Sequence, residues 1–122
     1  MKNIFRAFLF FVKNILYLLL KPDKILLDNP NLLYALCPDI PEIGTVRETF
    51  FCNQLASAGH VIEYGGMKNA DFRIDGKYVI EVGGKDKGYS QFDNEENGYI
   101  AADGIDTAIF RKIPLWAFGF LY

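Results

Sequence analysis

The sequence predicts an α+β fold, a small mixed sheet flanked by helices, on three observations. The first is the stretch Asp71 to Lys85, D-F-R-I-D-G-K-Y-V-I-E-V-G-G-K, whose apolar residues fall at Phe72 and Ile74 and then at Tyr78, Ile80 and Val82. A period of two on both sides of an Asp-Gly pair is a β-hairpin. The second is the run from Thr45 to Ala58, in which Phe51, Cys52 and Leu55 recur at helical spacing before Gly59 stops it. The third is a pair of short apolar runs, His60 to Tyr64 and Tyr99 to Ala102, which supply further strands. A chain of 122 residues has room for one core and not two. An apolar fraction of 51% with 23% charged residues is that of an ordered globular protein.

The hairpin also restricts its own register. Both apolar sets reach one face only if paired positions sum to an even number, such as 72 with 80 or 72 with 78. A two-residue Asp75-Gly76 loop would pair Phe72 with Val79 and turn the sets to opposite faces. The sequence therefore predicts a three-residue loop with a bulge and Gly76 in the left-handed conformation. Asp71 and Glu81 then share the other face, roughly 5 to 8 Å apart across the strand pair.

In chain order, residues 4–20 are apolar except for Arg6, Lys13 and Asn14, and read as a helix with a thin polar stripe. A lysine beside an asparagine near its centre would be costly in a bilayer, which favours packing on protein over membrane association. Its apolar surface suits a protein partner or a homodimer. No small-residue cleavage site precedes Lys21-Pro22-Asp23-Lys24, so no signal peptide is expected. Lys24 to Leu27 reads as a strand. Asp28-Asn29-Pro30 then caps and opens a helix that runs through Asn31 to Cys37. Thr45-Val46-Arg47-Glu48 has the form of a capping box, which puts the next helix start at Thr45. Beyond the hairpin, Gly83 to Gly88 is a glycine and lysine loop. A helical turn is expected around Tyr89 to Asp93, a weak strand over Ile105 to Phe110, and a short helix opened by Pro114.

A net charge of −2 gives no overall basic footprint, so contact with nucleic acid would rest on a local cluster such as Lys77, Lys85 and Lys87. Cys37 and Cys52 form no CxxC pair and read as reduced thiols of a cytoplasmic protein. The single His60 has no second histidine beside it and reads as structural. The chemical ingredients are a helix carrying Glu48, a hairpin carrying Asp71 and Glu81, and nearby lysines. Such a set can hold Mg²⁺ on carboxylates, with a lysine steadying an attacking water or the developing charge on a phosphate. Each member also has a plainer reading: Glu48 as a capping residue, Asp75 as a turn residue, Lys85 and Lys87 as a solvated loop.

From Lys21 to Tyr122 the chain resembles the C-terminal region of prokaryotic AAA-superfamily ATPases, whose tail domain is similar to the restriction-endonuclease-like fold. The residues that carry the resemblance are K-P-D-K-I at 21–25, N-P-N-L-L-Y-A-L at 29–36, G-T-V-R-E-T-F-F at 44–51, E-V-G-G-K at 81–85 and I-P-L-W-A-F-G at 113–119. It implies a restriction-endonuclease-like domain over 21–122, which follows the apolar N-terminal helix, 1–20, that the resemblance does not cover. It also implies a nuclease-like site at Asp71 and Glu81; with Lys85 as the candidate lysine and the helix acid Glu48 as a further candidate ligand, the candidate site is Asp71, Glu81 and Lys85, with Asp71, Glu81 and Glu48 as metal ligands. In that broader fold an aspartate on one strand precedes Glu-x-Lys on the next. Here the position two after Glu81 is Gly83, and Lys85 is two residues late. No G-x-x-x-x-G-K-[ST] phosphate loop occurs, so no nucleotide is expected and the chain reads as a truncated or orphaned tail domain. Two functions follow as expectations. One is a module that binds nucleic acid or protein, with a degenerate nuclease-like site and at most weak Mg²⁺ binding. The other is an active Mg²⁺-dependent DNA endonuclease.

Overall fold

A computed structural model of the chain describes residues 26–64, 70–89 and 96–121. The apolar helix expected over 4–20, the start of the strand expected at Lys24 and the helical turn expected beyond Tyr89 lie outside them. Two compact units divide between Phe50 and Phe51. Among the described residues no helix is long and apolar enough to cross a membrane.

In the first unit, Leu26 and Leu27 belong to no strand. Helix α1, Pro30–Leu36, opens as its sequence dictates: Asn29 Oδ1 accepts from the Leu32 amide at 2.9 Å, and Pro30 occupies the first turn, where a missing N–H costs nothing. Helix α2, Ile43–Ser57, begins two residues before the expected Thr45. The Glu42 carbonyl already accepts from Val46 N at 3.1 Å, so Thr45 is inside the helix and its carbonyl accepts from Thr49 Oγ1 at 2.7 Å. The capping-box reading of Thr45 and Glu48 is therefore corrected.

The second unit begins within α2 and is built on a sheet. Helix α2 ends in a Schellman motif: His60 N donates to Leu55 O at 3.0 Å and Gly59 N to Ala56 O at 3.1 Å, with Gly59 at φ 90°. Five strands follow in spatial order β1-β2-β3-β4-β5: Ile62–Tyr64, Phe72–Ile74, Tyr78–Gly84, Gly98–Asp103 and Lys112–Pro114. The first three pair antiparallel; β3 with β4 and β4 with β5 pair parallel, so the sheet is mixed. A 3₁₀ helix, Leu115–Phe120, continues directly from β5. The strand expected over Ile105 to Phe110 does not form; only Ile109 bridges, to Lys112.

The hairpin register is the even one, with Phe72 opposite Ile80 and Ile74 opposite Tyr78. Asp75 and Gly76 both take positive φ, 52° and 68°, in a tight turn closed by Lys77 N to Ile74 O at 3.0 Å. Lys77 is the extra residue that restores the face. Asp75 tolerates the left-handed region because its carboxylate is anchored: Oδ1 accepts from Val61 N at 2.9 Å and Oδ2 lies 2.7 Å from His60 Nδ1. The histidine thus ties β1 to the hairpin turn. On the resulting apolar face Phe51 is fully buried, stacked on Phe72 with centroids 5.6 Å apart and edge-on to Phe118 at 5.0 Å.

Two outcomes follow from this packing. Phe51→Ala should cost about 3–5 kcal/mol, read from urea denaturation, because the ring is enclosed on all sides; a loss under about 1 kcal/mol would contradict its place at the centre of this core. The second concerns Asp75, whose carboxyl is held below the usual aspartate range first by the Val61 amide and then by His60. A lowered folded value means that the ionised group stabilises the fold above its unfolded pKa, and that this contribution disappears as pH falls through the folded value. Stability curves of wild type and Asp75→Asn should therefore differ at neutral pH and converge in strong acid; parallel curves would contradict the anchoring.

Candidate functional site

Residues level with one another across a sheet share a face. Continuing the β2–β3 register one residue outward sets Asp71 opposite Glu81; Glu81 is level with Ile100, and Ile100 with Lys112. One row across four chain segments thus holds two carboxylates and a lysine, on the face opposite Phe72 and Ile80. The strands make this arrangement because the even positions of β3 turn toward the Phe51 side and the odd ones toward the other, where Val79, Ile100 and Ala102 are buried as well.

Asp71 sits just before β2, where the ladder has no further backbone partner for β3. Its Oδ2 accepts from Val82 N at 2.8 Å and stands in for the missing carbonyl. Glu81 is buried, and its Oε1 lies 2.6 Å from the ammonium of Lys87, whose side chain is about one-third exposed. Lys87 returns to Glu81 through a tight turn in which its own amide donates to Gly84 O at 3.1 Å. Gly83 makes that return possible. A Cβ there would stand 2.9 Å from Lys87 Cδ, 3.1 Å from Cγ and 3.2 Å from Cβ, so the stem of Lys87 lies across the space that any other residue would fill.

The other expected site residues fall elsewhere. Lys85 is exposed in the turn after β3, and its carbonyl accepts from Lys112 Nζ at 2.9 Å. Glu48 is a buried residue of the first unit. Lys77 is at the hairpin tip with its ammonium 5.0 Å from the Tyr78 ring, and the six steps of β3 separate that end from Gly84 by about 20 Å. The basic cluster expected from Lys77, Lys85 and Lys87 is therefore split, and Lys112 joins Lys85 instead. Sequence spacing did not single out Lys87 for Glu81; the signal for it was Gly83-Gly84 followed by Lys-Asp, a turn that sends the chain back over a residue without a side chain.

No protein-family model, curated protein or solved structure matches the chain. The site is read from its own chemistry. Two carboxylates across a strand pair are hard oxygen donors of the kind Mg²⁺ takes. Here each has a prior commitment, Asp71 to a backbone amide and Glu81 to an ammonium that balances its charge. Among the described residues no three His, Cys, Asp or Glu side chains converge as a metal-holding group. This donor set does not fit a tightly held resident cation.

Removing the ammonium should expose what it does. Lys87→Met removes the ammonium that lies 2.6 Å from a buried carboxylate and should cost about 1–3 kcal/mol in chemical denaturation. Adding Glu81→Gln should restore most of that loss. Equal stability of the single variant and wild type would show that the pair does not hold this face together.

Proposed function

We propose that the chain is a nucleic-acid-binding module built on a restriction-endonuclease-like fold, with the nuclease-like carboxylates closed by an internal ion pair. The observation that carries this reading is the Glu81–Lys87 contact of 2.6 Å, set over Gly83, on the same sheet face as Asp71 and Lys112. The five-stranded mixed sheet with a helix before its first strand is compatible with that fold. So are the segments that resemble the tail domain of prokaryotic AAA-superfamily ATPases, which suggest a role beside such a motor in the cytoplasm. Binding a phosphodiester needs only cations at the edge of the face, and Lys85 and Lys112 supply them. Cleavage asks for more: a metal and a positioned water. Mg²⁺ must compete with Lys87 for Glu81, which makes it a weak ligand, and Glu81→Ala should remove what binding there is.

One observation favours a second reading, an active nuclease. Lys87, although six residues after Glu81, delivers an ammonium to the carboxylate, as a lysine two residues after it would. In that case Lys87, and not Lys85, is the lysine that would work with Asp71 and Glu81.

One experiment separates the two. Labelled DNA should bind with an affinity that falls as salt rises, should bind more weakly to Lys85→Ala and Lys112→Ala, and should remain intact with Mg²⁺ or Mn²⁺ present. Metal-dependent cleavage that disappears in both Glu81→Ala and Lys87→Ala would establish the nuclease instead. Failure to bind DNA or RNA at all would overturn both.

A further inference from the structure

The loop between β4 and β5 carries a feature that neither the core nor the acidic pair uses. Ile109 and Lys112 close a two-residue turn with reciprocal hydrogen bonds of 2.9 Å, leaving Phe110 and Arg111 at its tip. Phe110 has φ 56° and is 84% exposed. The first position of a hairpin turn with positive φ is a glycine position, and a bulky residue there is an outlier. Strain of this kind persists where the surroundings hold it, and it clusters at ligand sites.

The surroundings do hold it. Tyr89 meets the Phe110 ring edge-on at 5.8 Å, and the Tyr89 hydroxyl donates to Ile109 O at 3.4 Å. The Arg111 guanidinium lies 5.5 Å from the Phe110 centroid. Lys112 Nζ lies 5.7 Å from the Tyr89 centroid while it donates to Lys85 O. Two aromatic rings with Arg111 and Lys112 on them thus form one cluster, joined to Lys85 through its carbonyl, with Asp86, Asp103 and Asp106 as the acids of the flanking turns. The cluster joins the sheet at Lys112, two strands from Glu81 and so about 10 Å away across the face.

We propose that this tip is a stacking platform for single-stranded nucleic acid, an inference that rests on the nucleic-acid reading above. An exposed ring offers an unpaired base a flat apolar partner, and cations beside it meet the phosphates. The local charge balance decides between single strand and duplex. Three cations against three acids give little attraction for phosphates alone, and phosphates are what an intact duplex presents to a protruding ring. The bases of a single strand are open to stack, so most of the binding comes from Phe110 and the salt dependence is shallow, a slope of about −2 at most for three phosphate contacts.

The test compares a fluorescein-labelled single-stranded DNA with its duplex, using the full chain. Wild type should prefer the single strand. Phe110→Gly should lose roughly tenfold or more in that affinity, while its thermal stability stays level or rises, since glycine accepts the positive φ; Phe110→Trp should keep the binding. A merely structural role for Phe110 would move stability and not this preference. If duplex binds as well as single strand and Phe110→Gly changes neither, the platform is overturned and nucleic-acid binding stands. If neither form binds, the nucleic-acid reading itself has failed.

Discussion

The structure of the second unit depends on one constraint, the even register between β2 and β3. Period-two strands tolerate no intermediate case: a slip of β2 by one residue would take Phe72 and Ile74 away from Phe51 and put Asp71 and Arg73 in their place. The register is held by Lys77, an extra residue that follows the Asp75-Gly76 turn, and by the carboxylate of Asp75 bonded to Val61, just ahead of β1. Everything on either face inherits this choice. On one side it places Phe72 beneath Phe51; on the other it sets two carboxylates level with each other and with a lysine two strands away.

Chemistry on the second face is governed by a competition for carboxylate oxygens. A buried carboxylate is costly unless its charge is met. Glu81 meets that demand with Lys87; Asp71, only half-buried, is held by a backbone amide that the short β2 strand leaves over. Each solution makes the residue a better structural element and a less available ligand. The tandem glycines after Val82 make this arrangement possible, because only a bare backbone at Gly83 lets the lysine stem pass.

Much of this was legible in the sequence wherever a local rule decides the outcome. The hairpin, its face and Gly76 followed from the spacing of apolar residues around Asp75-Gly76; the opening of α1 followed from Asn29-Pro30 and the end of α2 from Gly59. The helix start at Ile43 was missed because the capping-box pattern at Thr45 reads the same inside a helix, where the Glu42 carbonyl already accepts from Val46. Strand β5 was hidden because its three residues, Lys112 to Pro114, precede a longer apolar run that dominates the pattern. Lys87 and Phe110 could not be read at all from spacing. The first depends on a turn that folds a side chain across a glycine; the second takes a glycine conformation that nothing in its own chemistry favours.

Lys87, passing over Gly83, is the cation that meets Glu81. Nuclear Overhauser effects report it directly in solution, since protons that close exchange magnetisation. Cross-peaks between the Gly83 α protons and the β, γ and δ methylenes of Lys87, lost in Glu81→Gln, are the predicted result. Methylenes of Lys87 with the averaged shifts of a solvated chain, and contacts from Lys85 to Gly83 in their place, would contradict it.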